Sequence, residues 1–215
     1  ERTDHMARLV EDLLLASRIS NPAERRMPDV NRQEVDIAPV VERALRSFRV
    51  AHPTREFRVR GSEGITCSAD PIRVEQIVAN LISNAVKFSE EGTFVDVSLS
   101  QDTRETFIEV TDEGRGIPSD KFDEIFERFR RLEDPMKMET GGAGLGLFIV
   151  RELARAMGGA VSVRSELGHG STFSVSLPAV GVKPSEQPQR RAQDRQELPV
   201  DSQWANVTDP AAEAG

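Results

Sequence analysis

The sequence has one cysteine, Cys67, among 215 residues. A lone thiol excludes an internal disulfide framework and favours a cytosolic setting. No apolar run reaches the length of a membrane-spanning helix, and no signal peptide is visible. Positive charge is also in deficit, with 28 Lys and Arg against 36 Asp and Glu and a net charge of −8. That balance argues against non-specific nucleic-acid binding, because a phosphate backbone attracts the opposite sign. No internal repeat is found. The chain opens on Glu1 inside an apolar periodicity and is expected to be a piece of a longer protein. The parent could therefore be membrane-anchored even though this fragment is expected to be cytoplasmic, without direct membrane contact.

What is present is a soluble-domain composition, 38% hydrophobic and 30% charged. Met6, Leu9, Val10, Leu13 and Leu14 share one helical face, which needs a partner helix. Asn21-Pro22 stops this pattern, and residues 21–33 read as a linker. Helices are predicted over 37–50, 70–88 and 145–157, and strands over 56–60, 65–68, 93–100, 105–111, 161–164 and 171–177. Asp70-Pro71 is a helix start, and Gly158-Gly159 is a stop. After Pro178 the apolar pattern collapses, so the tail to 215 reads as disordered. This order predicts an α/β sandwich, a mixed sheet covered on one face by helices.

Gly142-Ala143-Gly144-Leu145-Gly146-Leu147 runs directly into the third predicted helix. Glycines let the backbone approach a ligand, and the first N–H groups of a helix favour a phosphate. The spacing fits neither the dinucleotide fingerprint nor the P-loop, and alone it also suits a plain turn. Asn80, Asn84 and Lys87 stand at i, i+4 and i+7 on one helix face, beside an apolar arc of Ile77, Val78, Leu81, Ile82, Ala85 and Phe88. An amide oxygen can ligate Mg²⁺, and a lysine adds charge where phosphates sit. Taken alone, that face is also what a solvated helix presents. Asp112 ends a strand and is followed by Gly114 and Gly116. Such a carboxylate can accept from a ligand amine, as adenine carries, or simply close a turn. Strand alternation puts Ser171 on the core face with Phe173, Val175 and Leu177. Any inward hydroxyl is therefore Ser171 rather than Thr172.

The order of these pieces resembles the bacterial sensor histidine kinases over roughly residues 1–178. Asn80 to Ser89 resembles their N box, and Asp112-x-Gly114-x-Gly116-Ile117 their G1 box. Phe126-Glu127-Arg128-Phe129 resembles the F box, Gly142 to Leu147 the G2 box, and Gly170-Ser171-Thr172-Phe173 the final glycine box. The resemblance implies the ATP-binding sandwich that these kinases share with type II topoisomerases, heat-shock chaperone ATPases and mismatch-repair ATPases. It implies Mg²⁺ on Asn84, Asn80 at the nucleotide, Lys87 near the phosphates and Asp112 on the adenine amine. Gly114 and Gly116 would admit the ring, with Ile117 beside it. Residues 118–142 would form the ATP lid, with Phe126 and Phe129 anchoring its base. Gly142, Gly144, Leu145, Gly146 and Leu147 would wrap the phosphates, Ser171 would line the site, and Arg131 falls near the γ-phosphate. Two residues depart from the pattern: Arg130 stands where Tyr is common and Ala143 where Ser or Thr is common.

The resemblance also implies organisation and partners. Residues 1–20 would be the end of a dimerising, phosphoaccepting helical hairpin, 21–33 a linker, 34–178 the catalytic domain and 179–215 a tail. The parent would be a homodimer through that hairpin and would address a response regulator receiver domain. Hydrolysing relatives carry a glutamate at the position of Asn80, and an amide cannot act as a general base. Phosphoryl transfer is thus favoured over ATP hydrolysis. The anti-sigma serine kinases lack the hairpin-like element. His5 is followed by Met6-Ala7-Arg8, without the family's acidic residue and proline, and His52 and His169 read as surface residues. The accepting histidine is therefore expected outside this chain. The alternative is a non-catalytic nucleotide-binding or protein-interaction module of the same fold.

Overall fold

The structure, a computed structural model, describes residues 27–61, 64–130 and 143–181. The expected hairpin segment, residues 21–26 of the expected linker, residues 131–142 of the expected lid and nearly all of the tail lie outside the described residues.

Three helices are present among them. Helix α1 (Ile37–Ala51) is capped by Asp36, whose Oδ1 accepts from the Ala38 N–H at 3.2 Å. Helix α2 (Pro71–Phe88) begins on Asp70, whose Oδ1 accepts from Ile72 and Arg73 at 2.9 and 3.3 Å. Pro71 follows the cap, where its missing N–H costs nothing. Helix α3 (Gly146–Ala156) stops before Gly158, whose φ is +81°.

Strands β1 (Gln33–Asp36) and β3 (Thr66–Ala69) form an antiparallel pair. The main sheet contains β2 (Phe57–Gly61), β4 (Val95–Gln101), β5 (Glu105–Asp112), β6 (Ala160–Glu166) and β7 (Gly170–Pro178). Its spatial order is β2-β4-β5-β7-β6. Only the β2 and β4 pair is parallel. A parallel pair needs a crossover, and α2 lies in that connection.

Alternation divides the sheet into two faces. Val95, Val97 and Leu99 share a buried face with Ile108, Val110, Phe173, Val175 and Leu177. The helices cover that face, α2 against β4 and β5, α3 against β6 and β7. Helix α2 is the middle of the helical layer, touching both α1 and α3, and Val74, Ile77, Val78, Leu81 and Ile82 have no exposed surface. Burying each such side chain contributes about 1.5–3 kcal/mol. The other sheet face carries Asp96, Ser98, Glu109, Thr111, Thr172 and Ser174. Thr111 and Thr172 share a hydroxyl hydrogen bond of 2.9 Å there.

The sandwich expected from the sequence is thus observed, with helices on one face of a mixed sheet. One strand was not anticipated. Residue 33 was assigned to the linker, yet Gln33 begins β1 and pairs opposite Ala69.

Candidate functional site

Asn80, Asn84 and Lys87 lie half-buried along α2, on the arc beside its fully buried face. The amides of Asn80 and Asn84 find no hydrogen-bond partner among the described residues. Gly146 opens α3 directly against this face. A Cβ on Gly146 would stand 3.1 Å from Asn80 Oδ1, a tight contact that places the helix start directly beside that amide. Leu145 precedes it at the N-cap without a side-chain cap bond, and the first turn holds no acidic residue. Among the described residues, the amino end of α3 therefore presents uncapped N–H groups and positive potential beside the amides of Asn80 and Asn84.

Lys87 Nζ rests 4.7 Å from the centre of the Phe88 ring, and the Arg115 guanidinium approaches the same ring at 4.9 Å. Two cations thus gather where α2 ends and the Gly114 loop begins. Leu145 is buried, while Ala143 and Leu147 are half-buried against the core.

Asp112 ends β5 on the buried face, between Val95 of β4 and Ser171 of β7. It is 5% exposed. Burial pushes its carboxyl up to about 6, while backbone N–H groups of Gly114 and Ser171, and the charge of Arg55, oppose that rise. The Gly114 N–H donates to Oδ1 at 2.8 Å. A Cβ on Gly114 would meet the Phe88 carbonyl oxygen at 2.5 Å and Asp112 Oδ1 at 2.6 Å. Glycine is what lets this loop lie flat on the end of α2. Gly116 adopts φ +72°, and a side chain there would strike the Glu166 carbonyl. The Ile117 N–H donates to Ser165 Oγ at 2.8 Å. Ser171 faces inward, as alternation required, with its hydroxyl 2.9 Å from Ser165 Oγ.

Phe126 is buried and meets Phe173 edge-on at 6.4 Å. Phe129 does not anchor by side-chain burial, contrary to the expectation, because the residue is 61% exposed. Its backbone does the holding instead. The Phe129 N–H donates to the Gly144 carbonyl at 2.9 Å, and the residue sits at φ +60°. That bond joins the two ends of the segment between residues 130 and 143. Arg130 pairs on the surface with Glu127 at 3.0 Å. Gly142 and Arg131 lie outside the described residues.

Sequence reasoning missed three buried charged residues, of which Asp96 of β4 is 9% exposed and meets Arg60 at 2.8 Å. Glu152 of α3 is 8% exposed and receives Arg151 and Arg155 at 3.1 and 3.3 Å. Arg55 is equally buried. A single Arg within a charged run carries no signal of burial.

Unpaired amides, an uncapped helix start and a buried carboxylate around glycine turns on one sandwich define an ATP-binding domain. The chain belongs to the family described as histidine kinase-, DNA gyrase B-, and HSP90-like ATPases, whose model matches residues 69–181. It is 35% identical over 187 residues to the probable sensor histidine kinase TcrY of Mycobacterium tuberculosis, covering 86% of this chain and 38% of that protein. It is 37% identical over 185 residues to the sensor-like histidine kinase SenX3 of Mycolicibacterium smegmatis, covering 80% and 44%. Among solved structures, the mycobacterial sensor histidine kinase MprB aligns with a TM-score of 0.61 at 31% identity, over 69% of this chain and 97% of that one. Full-length ShkA in complex with AMPPNP aligns with a TM-score of 0.68 at 32% identity, over 85% and 38%. The chain therefore spans less than half the length of these curated relatives.

Proposed function

We propose that this chain binds Mg-ATP and donates the γ-phosphoryl group to a histidine outside it, as the catalytic part of a two-component signalling kinase. The observation that carries this reading is Asn80 beside the amino end of α3. An amide at that position can position a phosphate but cannot take a proton from water. In phosphoryl transfer the protein mainly orients groups and balances charge. The bond between the γ-phosphorus and its bridging oxygen breaks, a bond from phosphorus to an imidazole nitrogen forms, and ADP leaves.

In this reading Asp112 accepts from the adenine amine, with Gly114, Gly116 and Ile117 admitting the ring and Ser171 beside it. Asn80, Lys87, Gly142, Gly144, Leu145, Gly146 and Leu147 attend the phosphates, with Arg131 near the γ-phosphate and Phe129 at the lid base. Among the described residues no group of three His, Cys, Asp or Glu side chains could hold a metal. The donor set nevertheless suits Mg²⁺. Asn84 supplies one hard oxygen, and nucleotide and water supply the others. The ion would neutralise charge on the phosphates. Residues 1–20 belong to a dimerising hairpin, 21–32 to a linker, 33–178 to the catalytic domain with its lid at 118–142, and 179–215 to a tail. The parent addresses a receiver domain of a response regulator from the cytoplasm. Among the described residues no helix is long and apolar enough to cross a membrane.

The test mixes this chain, Mg²⁺ and labelled ATP with the upstream hairpin helix supplied separately. Acid-labile phosphate is expected on that helix. Asn84→Ala should weaken Mg-dependent binding of a fluorescent ATP analogue by about tenfold or more. No Mg-dependent binding by the unaltered chain would leave the non-catalytic module as the answer.

A further inference from the structure

Arg55 is 8% exposed and stands just before β2. Its Nη1 donates to Ser89 Oγ at 2.6 Å and Thr93 Oγ1 at 2.8 Å. Its Nη2 donates to the Ser89 carbonyl at 3.2 Å and the Glu90 carbonyl at 2.8 Å. Every one of these acceptors is neutral, and all lie immediately beyond the last residue of α2. The hydroxyls are correctly occupied from the other side. Ser89 Oγ donates to the Ala85 carbonyl at 2.6 Å, and Thr93 Oγ1 donates to the Glu90 carbonyl at 2.7 Å. A cation here also complements the negative end of the helix dipole.

The clamped turn is held between Phe88 and Phe94, two residues that the Gly114 loop touches. The Arg115 N–H donates to the Phe88 carbonyl at 3.3 Å, and the Phe94 N–H donates to Glu113 Oε2 at 3.4 Å. Gly114 itself lies too close to the Phe88 carbonyl to admit a Cβ. The chain of contact thus runs from Arg55 to residues 89–93, then to the loop after Asp112. A lysine could not reproduce the fork, since it offers one nitrogen to four acceptors.

We propose that Arg55 is a positioning residue for the purine end of the nucleotide site, setting the 89–93 turn and, through it, the Gly114 loop. The inference rests on the reading of Asp112 as the adenine acceptor. Arg55 also supplies the positive charge that opposes the rise of the Asp112 carboxyl, alongside the N–H groups of Gly114 and Ser171. Its loss should therefore act on both geometry and protonation.

The test compares the full chain with its Arg55→Met and Arg55→Lys variants. Binding of a ribose-labelled fluorescent ATP is followed from about pH 5 to about pH 8, the window set by the Asp112 carboxyl at about 6. Arg55→Met should bind about tenfold more weakly at pH 7.5, the scale set by a displaced contact. The pH at which its binding falls by half should move upward. Arg55→Lys keeps the charge, so its midpoint stays while its affinity drops. In the nucleotide-free chain, amide exchange should quicken at 88–94 and 113–116 in both variants. Unchanged affinity, midpoint and exchange in the two variants would overturn the proposal. If Arg55→Met fails to fold, Arg55→Lys decides alone, by affinity and exchange against a native melting curve. An Asp112→Asn control that binds ATP normally would sink the adenine reading, while exchange at 113–116 would still judge Arg55.

Discussion

Asp112 costs the fold stability at neutral pH. Its carboxyl is raised from an ordinary 3.8 to about 6, chiefly by burial. The folded chain therefore holds that proton more tightly than the unfolded chain does. The stability this group contributes is full below about pH 4 and is lost as pH rises through about 6, a difference of about 3 kcal/mol. At neutral pH the ionised carboxylate is a standing cost. Asp112→Asn should thus raise the melting temperature of the nucleotide-free chain at pH 7.5 and flatten its change between about pH 4 and about 6. The same variant should bind ATP more weakly. Thermal denaturation across pH, paired with titration calorimetry, reads both effects, and a destabilised variant would contradict the desolvation argument. Asp112 was legible in the sequence because alternation and two following glycines marked it. The exposure of Phe129 was not, because backbone bonding to Gly144 replaces side-chain burial, and backbone partners leave no trace in side-chain identity.

Helix α2 depends on its first residue. Besides capping Ile72 and Arg73, Asp70 accepts the Asn31 N–H on Oδ2 at 2.9 Å, tying the segment before β1 to the helix start. The Asp70 N–H itself approaches Met157 Sδ at 3.4 Å. Asp70→Ala should cost about 1–2 kcal/mol, a lost cap plus an orphaned N–H. A lower urea midpoint at unchanged slope is the expected result, and no shift would show that the cap is redundant. The helices and the strands of the main sheet fall within a residue or two of where periodicity placed them. Strand β1 escaped because Gln-Glu-Val-Asp contains one apolar residue. Val35 is a strand residue only because β3 places Cys67 opposite it. Pairing of that kind is a property of two segments and cannot be read from one. The segment after β5 also yields two short 3₁₀ turns, Ser119–Lys121 and Glu124–Phe126, which a charged sequence did not announce.

Among the described residues a single apolar core joins the sheet, the helices and the β1–β3 pair. Cys67 sits inside it with no exposed surface, and burial pushes its thiol up to about 12, against a smaller lowering by Arg32. A thiolate reacts and a thiol does not, so alkylation of the native chain should be slow and should accelerate with denaturant as the fold opens. Rapid labelling in native buffer would show that the β1–β3 pair detaches on its own. The strand order has a consequence for association. Strands β2 and β6 are the outermost of the main sheet among the described residues. Strand β2 carries Arg58, Arg60 and Gly61 at φ +134°, and β6 carries an exposed Arg164. Arg58 pairs with Glu56 at 2.6 Å and Arg60 with Asp96 at 2.8 Å, so the β2 edge carries charged pairs that an incoming strand would have to displace or desolvate. An edge lined with charged pairs is a poor template for a second strand, which disfavours edge-to-edge growth of the sheet.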